Sequence, residues 1–221
     1  MSTTYRLLKV DTLSNAPISE DTLSKIIDKI KKEKSQVVVF SDFRHGIFNS
    51  NNTQKLIKAI PKKSFRAGDS QVASRWGNIN EFKNFDLITP NEREARFSLA
   101  DQDSTVGNLA AMLYKKNKYK NLILKLGPRG IFCVDSKIKR KIPFSIGVFA
   151  ESILDEVGSG DALLAYASLS LKVSNSLITA SIIGSFAASC ACEIEGNKPI
   201  DIEKVITRIK QVEKKINYIH K

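Results

Sequence analysis

The stretch Asp155-Glu-Val-Gly-Ser-Gly-Asp161 is followed at once by the apolar run Ala162-Leu-Leu-Ala-Tyr-Ala167. Two glycines separated by one small residue keep the backbone free of side chains, and the apolar run predicts a helix that starts beside them. Several peptide N–H groups and the positive end of the helix dipole then converge on one point. The stretch therefore predicts a site for an anion, most often a phosphate, at the start of a helix.

Asp161 falls in the first turn of that helix, where a carboxylate has two possible roles. It can cap the helix, or it can take a proton from a hydroxyl group directed at the bound anion. The second role is typical of phosphoryl-transfer sites. The first role, an ordinary loop with an Asp cap, stays an open alternative. The stretch is not a P-loop, because no Gly-Lys-Ser/Thr follows the glycines, and it lacks the third glycine of the dinucleotide fingerprint.

Composition and charge narrow the range of partners. The 221 residues suffice for a large buried core, and we expect one domain over residues 1–221. The formal net charge of +12 favours anionic partners such as nucleotides and phosphorylated metabolites. The lysines are scattered rather than gathered in one block, which argues against nucleic acid as a partner.

Cysteine usage and hydropathy indicate a cytoplasmic protein without a membrane partner. The three cysteines, Cys133, Cys190 and Cys192, lack metal-ligand spacing, and with only two histidines a zinc site is not expected. The first residues carry no signal-peptide hydrophobic region. Residues Val173 to Cys192 are uncharged but rich in serine, so they predict a buried helix rather than a membrane span.

Strand and helix patterns alternate along the chain. Apolar runs predict strands at Tyr5–Val10, Gln36–Phe40, just before Gly68, Asp86–Pro90, Asn121–Leu126, Ile131–Val134 and around Lys137–Pro143. Helical spacing and caps predict helices from about Ser19, at Lys55–Ile60, Glu92–Leu99, Val106–Lys115, Ala162–Leu171, Ser176–Glu193 and Ile200–Ile216. The alternation predicts a mainly parallel sheet between two layers of helices, a three-layer α/β/α sandwich.

Polar clusters follow several of these strands. They are Asp42–His45, Asp69–Gln71, Asn91–Glu94 and Lys125–Gly127. Ligands of such sheets bind beyond the carboxyl ends of the strands, where all four clusters are expected to lie. Their shared location favours an active site over an unrelated loop.

With these residues in place, the chain resembles the ribokinase (PfkB) family of carbohydrate kinases, from about Tyr5 to its end, and within it the kinase domain of the bifunctional heptose 7-phosphate kinase/adenylyltransferases. Asp155-Glu-Val-Gly-Ser-Gly-Asp161 is similar to the family signature Asp-Thr-x-Gly-Ala-Gly-Asp. Thr89-Pro-Asn-x-x-Glu94 resembles the Asn-x-x-Glu element, and Leu124-Lys-Leu-Gly-Pro-Arg-Gly130 the strand-turn beside the ATP site. Ser41-Asp-Phe-Arg-His-Gly46 falls where heptose kinases carry Ser-Asp-Tyr-x-Lys-Gly.

The resemblance implies ATP-dependent phosphoryl transfer to a hydroxyl group of a sugar or sugar phosphate, with Mg²⁺. It implies that Asp161 is the catalytic base and that the amides of Gly158, Ser159 and Gly160 form the anion hole. The residues implied for the nucleotide are Lys125, Gly127, Gly130, Asn91, Glu94 and Ser185, of which Asn91 and Glu94 also serve Mg²⁺. Those implied for the sugar are Asp42, His45 and Asp155.

Three departures from the family pattern qualify this expectation. Within these residues there is no early Gly-Asp strand, no Gly-Gly-x-x-x-Asn signature and no β-lid, so we expect the C-terminal, ATP-binding two-thirds of the fold, without its N-terminal strands. Ser185 stands where relatives often have Asn near the nucleotide. His45 replaces a lysine, which leaves the identity of the sugar open.

Each supporting residue also has a plainer interpretation. Asn91 and Glu94 can serve only as a helix cap and a first-turn acid, Asp42 can cap a turn, and Arg44 and Arg129 can be solvated. A catalytically silent nucleotide-binding module, or a fragment that needs a partner segment, is the second functional hypothesis. An exposed sheet edge further predicts self-association into a homo-oligomer or low stability.

Overall fold

The computed structural model describes residue 10 and residues 16–71, 79–136 and 142–219. Seven helices lie within these ranges: α1 Glu20–Glu33, α2 Ser50–Ala59, α3 Glu92–Leu99, α4 Val106–Asn117, α5 Ser159–Ser174, α6 Leu177–Cys192 and α7 Ile202–Ile219. Six strands lie there too: β1 Val37–Asp42, β2 Phe65–Ser70, β3 Leu87–Ile88, β4 Asn121–Lys125, β5 Ile131–Asp135 and β6 Phe144–Ile146.

The strands form one sheet in the order β1-β2-β3-β4-β5-β6. Pairing is parallel from β1 to β4, and β5 and β6 add two antiparallel pairings. The parallel register sets Ser41 beside Asp69 and Asp42 beside Ser70 at the carboxyl ends of β1 and β2. The mainly parallel sheet is thus confirmed, and the register brings the polar residues that follow these strands to one edge.

Helices cover both faces of the sheet, because consecutive strand residues point to opposite sides. In β4, Leu122 and Leu124 join a core that includes Leu23 of α1 and Leu56 of α2, together with residues of α3 and α4. Ile123, between them, joins the opposite core with residues of α5 and α6. The three-layer α/β/α sandwich is therefore confirmed.

Polar caps fix where several helices begin. Ser19 caps α1, and Asn91 and Glu94 form a reciprocal capping box at the start of α3. Helix α2 begins at Ser50, earlier than the predicted Lys55, because the side chain of Asn49 accepts hydrogen bonds from the amides of Asn51 and Asn52. A cap made by asparagine within a run of asparagines was not distinguishable in the sequence.

Helices α5 and α6 pack closely through small residues. A Cβ atom on Gly184 of α6 would lie 3.0 Å from Cβ of Ala167 and 3.2 Å from the carbonyl oxygen of Leu163, both on α5. The serine-rich α6 is buried along much of its length, as predicted. Among the described residues, the structure contains no helix that is both long and apolar enough to span a membrane.

Two predicted strands fall partly on residues outside the described ranges. Tyr5–Lys9 of the first prediction and Lys137–Lys141 of the last lie there. The strand described after β5 is β6 at Phe144–Ile146, just beyond the predicted range. At the other edge, β1 pairs only with β2 among the described residues and bears Val39, which is 41% exposed.

Candidate active site

The glycine-rich loop ends at the first residue of α5. Gly158 caps this helix with a left-handed backbone, φ +85°, and contributes no side-chain hydrogen bond. A Cβ atom at this position would lie 2.4 Å from Oδ1 of Asn197, so the loop after α6 packs directly on the glycine. Only glycine fits both the backbone angle and the space at residue 158.

Three amides at this helix end have no hydrogen-bond acceptor in the described part of the chain. The amide of Ser159 donates to the carbonyl of Glu156 at 3.2 Å, and its hydroxyl donates to the same oxygen. The amides of Gly158, Gly160 and Asp161 make no hydrogen bond with a described residue. Together with the dipole of the 16-residue α5, they form a positive, donor-rich end suited to an anion. Of the three amides predicted to form the anion hole, those of Gly158 and Gly160 remain available to a ligand, whereas that of Ser159 is already hydrogen-bonded.

Asp161 lies beside the carboxyl end of β1. Its Oδ1 accepts a hydrogen bond from the hydroxyl of Ser41 at 3.3 Å, and the residue is half-buried. Helix α5 contacts β1 and β2, which places the carboxylate over the sheet edge rather than on the outer face of the helix. Asp161 thus sits between the free amides and the end of β1, where an acceptor hydroxyl can reach it.

Lys125, at the end of β4, links the strands to the glycine-rich loop. Its Nζ lies 2.5 Å from Oδ2 of Asp69 and 3.1 Å from the point where a Cβ atom on Gly160 would sit. Burial raises the pKa of Asp69 despite the nearby ammonium group. Burial acts to lower the pKa of Lys125, but the carboxylates of Asp69 and Glu94 outweigh it and raise this pKa. Lys125 therefore stays charged beside the anion site.

Asn91 and Glu94 combine a structural role with a position at the site. Oδ1 of Asn91 accepts from the amide of Glu94 at 2.8 Å, and Oε2 of Glu94 accepts from the amide of Asn91 at 2.6 Å. Glu94 is 5% exposed, and burial, followed by the charge of Asp69, raises its pKa to about 7. The capping interpretation is thus confirmed, and it leaves Glu94 in the same charge cluster as Lys125.

The residues expected on the sugar side are arranged around Asp42. Asp42 is 2% exposed and accepts hydrogen bonds from the backbone and side chain of Arg44 and from the hydroxyl of Ser70. Arg44 is not solvated as expected, because only 15% of its side chain is exposed. His45 is exposed and stacks on Phe43, with ring centroids 6.3 Å apart.

The remaining predicted site residues lie in the glycine-rich loop, in α6 and in the turn after β4. The carboxylate of Asp155 accepts from the amides of Val157 and Gly196, both at 3.1 Å, and thereby joins the glycine-rich loop to the loop after α6. Ser185 is buried in α6, and its hydroxyl has no described hydrogen-bond partner. Gly130, with φ +79°, faces the carbonyl of Ile146, where a Cβ atom would lie 2.0 Å from the oxygen.

A cavity of about 470 Å³ opens between α3 and the turn after β4. Asn91, Lys125 and Gly127 line it, together with Arg93 and Phe97 of α3. The guanidinium of Arg93 lies over the Phe97 ring, 5.6 Å from its centroid. Lys125 thus lies between this cavity and Gly160.

Sequence reasoning gave no individual role to three residues of the site. They are Ser41 beside Asp161, Asp69 beside Lys125, and Asn197 against Gly158. Asp69 had a signal, because it begins one of the predicted polar clusters, and in the structure it is the last residue but one of β2. The contacts of Ser41 and Asn197 join segments more than a hundred and about forty residues apart in the chain, respectively, and carry no local pattern.

The side chains present fit a magnesium ion that is held largely by phosphate oxygens. Among the described residues, no group of three or more His, Cys, Asp or Glu side chains is placed to hold a metal ion. Mg²⁺ usually binds through one or two carboxylates together with substrate phosphates. Glu94, a buried carboxylate whose charge interacts with Lys125, suits that mode.

Comparison with known proteins gives the same assignment along more than half of the chain. Residues 78–203 match the family described as pfkB family carbohydrate kinase. The chain is 24% identical over 216 residues to the bifunctional protein HldE of Helicobacter pylori (strain Shi470), across 96% of this chain and 45% of the relative. It is 24% identical over 209 residues to the HldE of Hyphomonas neptunium, across 91% and 41%. The chain thus spans less than half the length of these curated relatives.

Solved structures show the same fold. Phosphofructokinase-2 from Escherichia coli in complex with potassium superposes with a TM-score of 0.75 at 20% identity, over 89% of this chain and 64% of that one. Arabidopsis thaliana ribokinase complexed with ribose and ATP superposes with a TM-score of 0.66 at 20% identity, over 88% and 60%. The predicted ribokinase-like fold is confirmed.

Proposed function

This chain belongs to the pfkB family of carbohydrate kinases, and on that premise we propose that it transfers a phosphoryl group from ATP to a hydroxyl group of a sugar or sugar phosphate. The observation that carries the proposal is the end of α5. There, the unpaired amides of Gly158, Gly160 and Asp161 lie beside the Asp161 carboxylate, which faces the end of β1. An anion site and a base lie side by side at the sheet edge, where ligands of such folds bind.

Asp161 is the proposed base. It accepts the proton of the acceptor hydroxyl as that oxygen attacks phosphorus, and the hydroxyl of Ser41 keeps the carboxylate turned towards β1. The free amides donate to the phosphoryl oxygens and stabilise the charge that develops on them. Because these donors are fixed by the backbone, they need no rearrangement during transfer.

Lys125 and Glu94 serve the phosphates in different ways. Lys125 is a buried cation next to Gly160, positioned to offset the charge of the ATP phosphates. Glu94, with Asn91 beside it, is the proposed protein ligand for Mg²⁺, which when bound offsets phosphate charge. Since the pKa of Glu94 is about 7, this carboxyl group releases a proton when it takes up a cation near neutral pH.

The acceptor is placed over β1 and β2. Asp42 is the last residue of β1, His45 lies three residues beyond it, and Asp155 accepts from the amide of Gly196, which braces the loop that carries the anion site. A heptose-phosphate-like acceptor is the specific form of the proposal, supported by the low identity to HldE proteins, which extends over nearly all of this chain. A cytoplasmic location follows from the reactants, since ATP and sugar phosphates are cytoplasmic metabolites.

Calorimetric titration of the full chain with ADP and Mg²⁺, followed by a coupled assay of ADP release on a panel of sugars and sugar phosphates, tests this function. We expect nucleotide binding and acceptor-dependent turnover. Binding of ADP without turnover on any acceptor supports the silent module instead. Absence of nucleotide binding in a folded sample overturns both.

A further inference from the structure

Arg44 occupies a distinctive position two residues after β1. Its φ of +63° lies in the left-handed region, which a non-glycine residue adopts only at a cost in free energy. The residue follows Ser41, whose hydroxyl contacts Asp161, by three positions. Three extended residues span at most about 10 Å, a distance that a phosphorylated hexose or heptose can bridge. Arg44 therefore lies within reach of an acceptor whose hydroxyl group sits at Asp161.

Asp42 holds Arg44 in this strained conformation. Its Oδ1 accepts from the backbone amide of Arg44 at 2.8 Å, and its Oδ2 accepts from Nη1 at 2.6 Å. Oδ2 also accepts from the hydroxyl of Ser70 at 2.9 Å. Asp42 is 2% exposed, so it acts on the arginine rather than on a ligand. A left-handed residue whose backbone and side chain are both held by one buried carboxylate points to a functional position.

The guanidinium group keeps unused donors. It carries five N–H groups, yet among the described residues it makes one hydrogen bond, to Asp42, and its buried Nε has no partner. Only 15% of the side chain is exposed, and the N–H groups that have no acceptor among the described residues are left to solvent or to a ligand. The planar fork of an arginine matches two oxygens of one anion, and a phosphate supplies them.

We propose that Arg44 binds a phosphate group already present on the acceptor, so that the chain phosphorylates a sugar phosphate in preference to the free sugar. The proposal rests on the proposed function for the position of the acceptor. In this proposal Asp42 positions Arg44 and does not itself contact the sugar. A neutral sugar offers the guanidinium only uncharged hydroxyl acceptors, whereas a phosphate offers two charged oxygens that match its fork.

The test uses Arg44→Gly, which removes the guanidinium and relieves the left-handed strain, and Arg44→Lys, which keeps the charge without the fork. Lys55→Met, an exposed lysine of α2 paired with Glu20, removes the same unit of charge elsewhere and is the matched control. Turnover is measured with fructose 6-phosphate and fructose, and with a heptose 7-phosphate and the free heptose. Thermal stabilisation by the same sugar phosphates, by the free sugars and by inorganic phosphate is measured without ATP.

For Arg44→Gly we expect kcat/KM on the phosphorylated sugar to fall by about 10- to 100-fold, because hydrogen bonds to a charged group contribute that much. Arg44→Lys should fall between this variant and the wild type, the free sugar should be unaffected, and Lys55→Met should match the wild type. The wild type should be stabilised by sugar phosphate, and Arg44→Gly much less so.

Equal losses on phosphorylated and free sugars would assign Arg44 a purely structural role and overturn the proposal. So would unchanged stabilisation of Arg44→Gly by sugar phosphate, or preference of the wild type for the free sugar. If the wild type turns over no acceptor, the binding measurement decides alone: no stabilisation by sugar phosphate overturns the proposal. Loss of ADP binding, in contrast, concerns only the proposed kinase function.

Discussion

The ammonium group of Lys125 lies 2.5 Å from the carboxylate of Asp69, and both side chains are largely closed off from solvent. The pair connects the ends of β4 and β2, and the same ammonium group abuts Gly160 in the first turn of α5. Two strands and the proposed anion site thus meet at one buried charge pair, from which several measurable effects follow.

Asp69→Asn should destabilise the protein by about 3–5 kcal/mol, because it removes the only carboxylate among the described residues that is hydrogen-bonded to the buried Lys125 charge. Asp69→Asn/Lys125→Met should recover part of the loss, since neither charge then remains. Urea denaturation measures both. Asp21→Asn is the control: its partner Lys25 is 75% exposed, so we expect a change under about 1 kcal/mol. Equal losses in the free energy of unfolding at the two sites would show that the buried pair stabilises the protein no more than the exposed pair does.

Asp161→Asn should lower kcat by about 10²–10⁴-fold, because the variant cannot accept the hydroxyl proton. Binding of ADP should stay within a few-fold of wild type, since the amides that donate to the phosphate are unchanged. Steady-state kinetics and calorimetry measure the two quantities. Turnover at the wild-type rate would remove Asp161 from the mechanism.

Gly160→Ala should weaken nucleotide binding without unfolding the protein. The new Cβ atom would lie 3.1 Å from Nζ of Lys125 and displace that group, while alanine favours the helix by about 0.5–1 kcal/mol. Gly107→Ala, in α4, is the matched control, because nothing lies within 4 Å of the added atom. It should raise the melting temperature and leave the ADP affinity unchanged. A Gly160→Ala variant that binds ADP like wild type would contradict the proposed anion site.

Glu94 should make stability depend on pH. Its pKa is about 7 in the fold against 4.5 as the ordinary value, so the folded state binds this proton more tightly than the unfolded chain does. The contribution is fully present below about pH 4.5 and is lost as the pH rises to about 7, on the order of 3 kcal/mol in all. Glu94→Gln keeps the capping box but cannot ionise, so its stability should lack this fall. Parallel urea titrations at pH 5 and pH 8 compare the two proteins, and identical pH dependence would refute the prediction.

Self-association should depend on the edge strand β1. Val39 is 41% exposed there, and a lysine on an edge strand discourages pairing with another chain. Val39→Lys should therefore lower the apparent mass in light scattering after size exclusion, whereas Val173→Lys, at an 87% exposed valine of α5, should not. A wild-type protein that is monomeric at all concentrations would show that β1 does not mediate assembly.

The sequence predicts the layers and the start of the site well, because both depend on local pattern. Apolar runs of strand length and the helical spacing of Leu and Ile define the elements. Gly158 and Gly160 indicate a stretch of backbone that is open to a ligand. Element starts set by single caps, such as Asn49, are less readable because many polar residues nearby can cap. The contacts of Asp161 with Ser41 and of Lys125 with Asp69 join distant segments, and only the parallel register of β1, β2 and β4 brings them together.

The proposed role of Arg44 also could not be predicted from the sequence. In the sequence it is one arginine among many basic residues, with no sign that it is buried. Its burial depends on the left-handed turn after β1 and on Asp42, and neither is encoded in spacing alone.

The close contact of Gly184 with Ala167 has a bearing on how a ligand would be received. Interlocked small side chains leave α5 little freedom to tilt or slide against α6, so the unpaired amides at its first turn are held in place before any anion arrives. Little conformational entropy is then lost when an anion binds. A bulkier residue at 184 would shift α5 and so misplace these amides, although residue 184 does not contact the anion site.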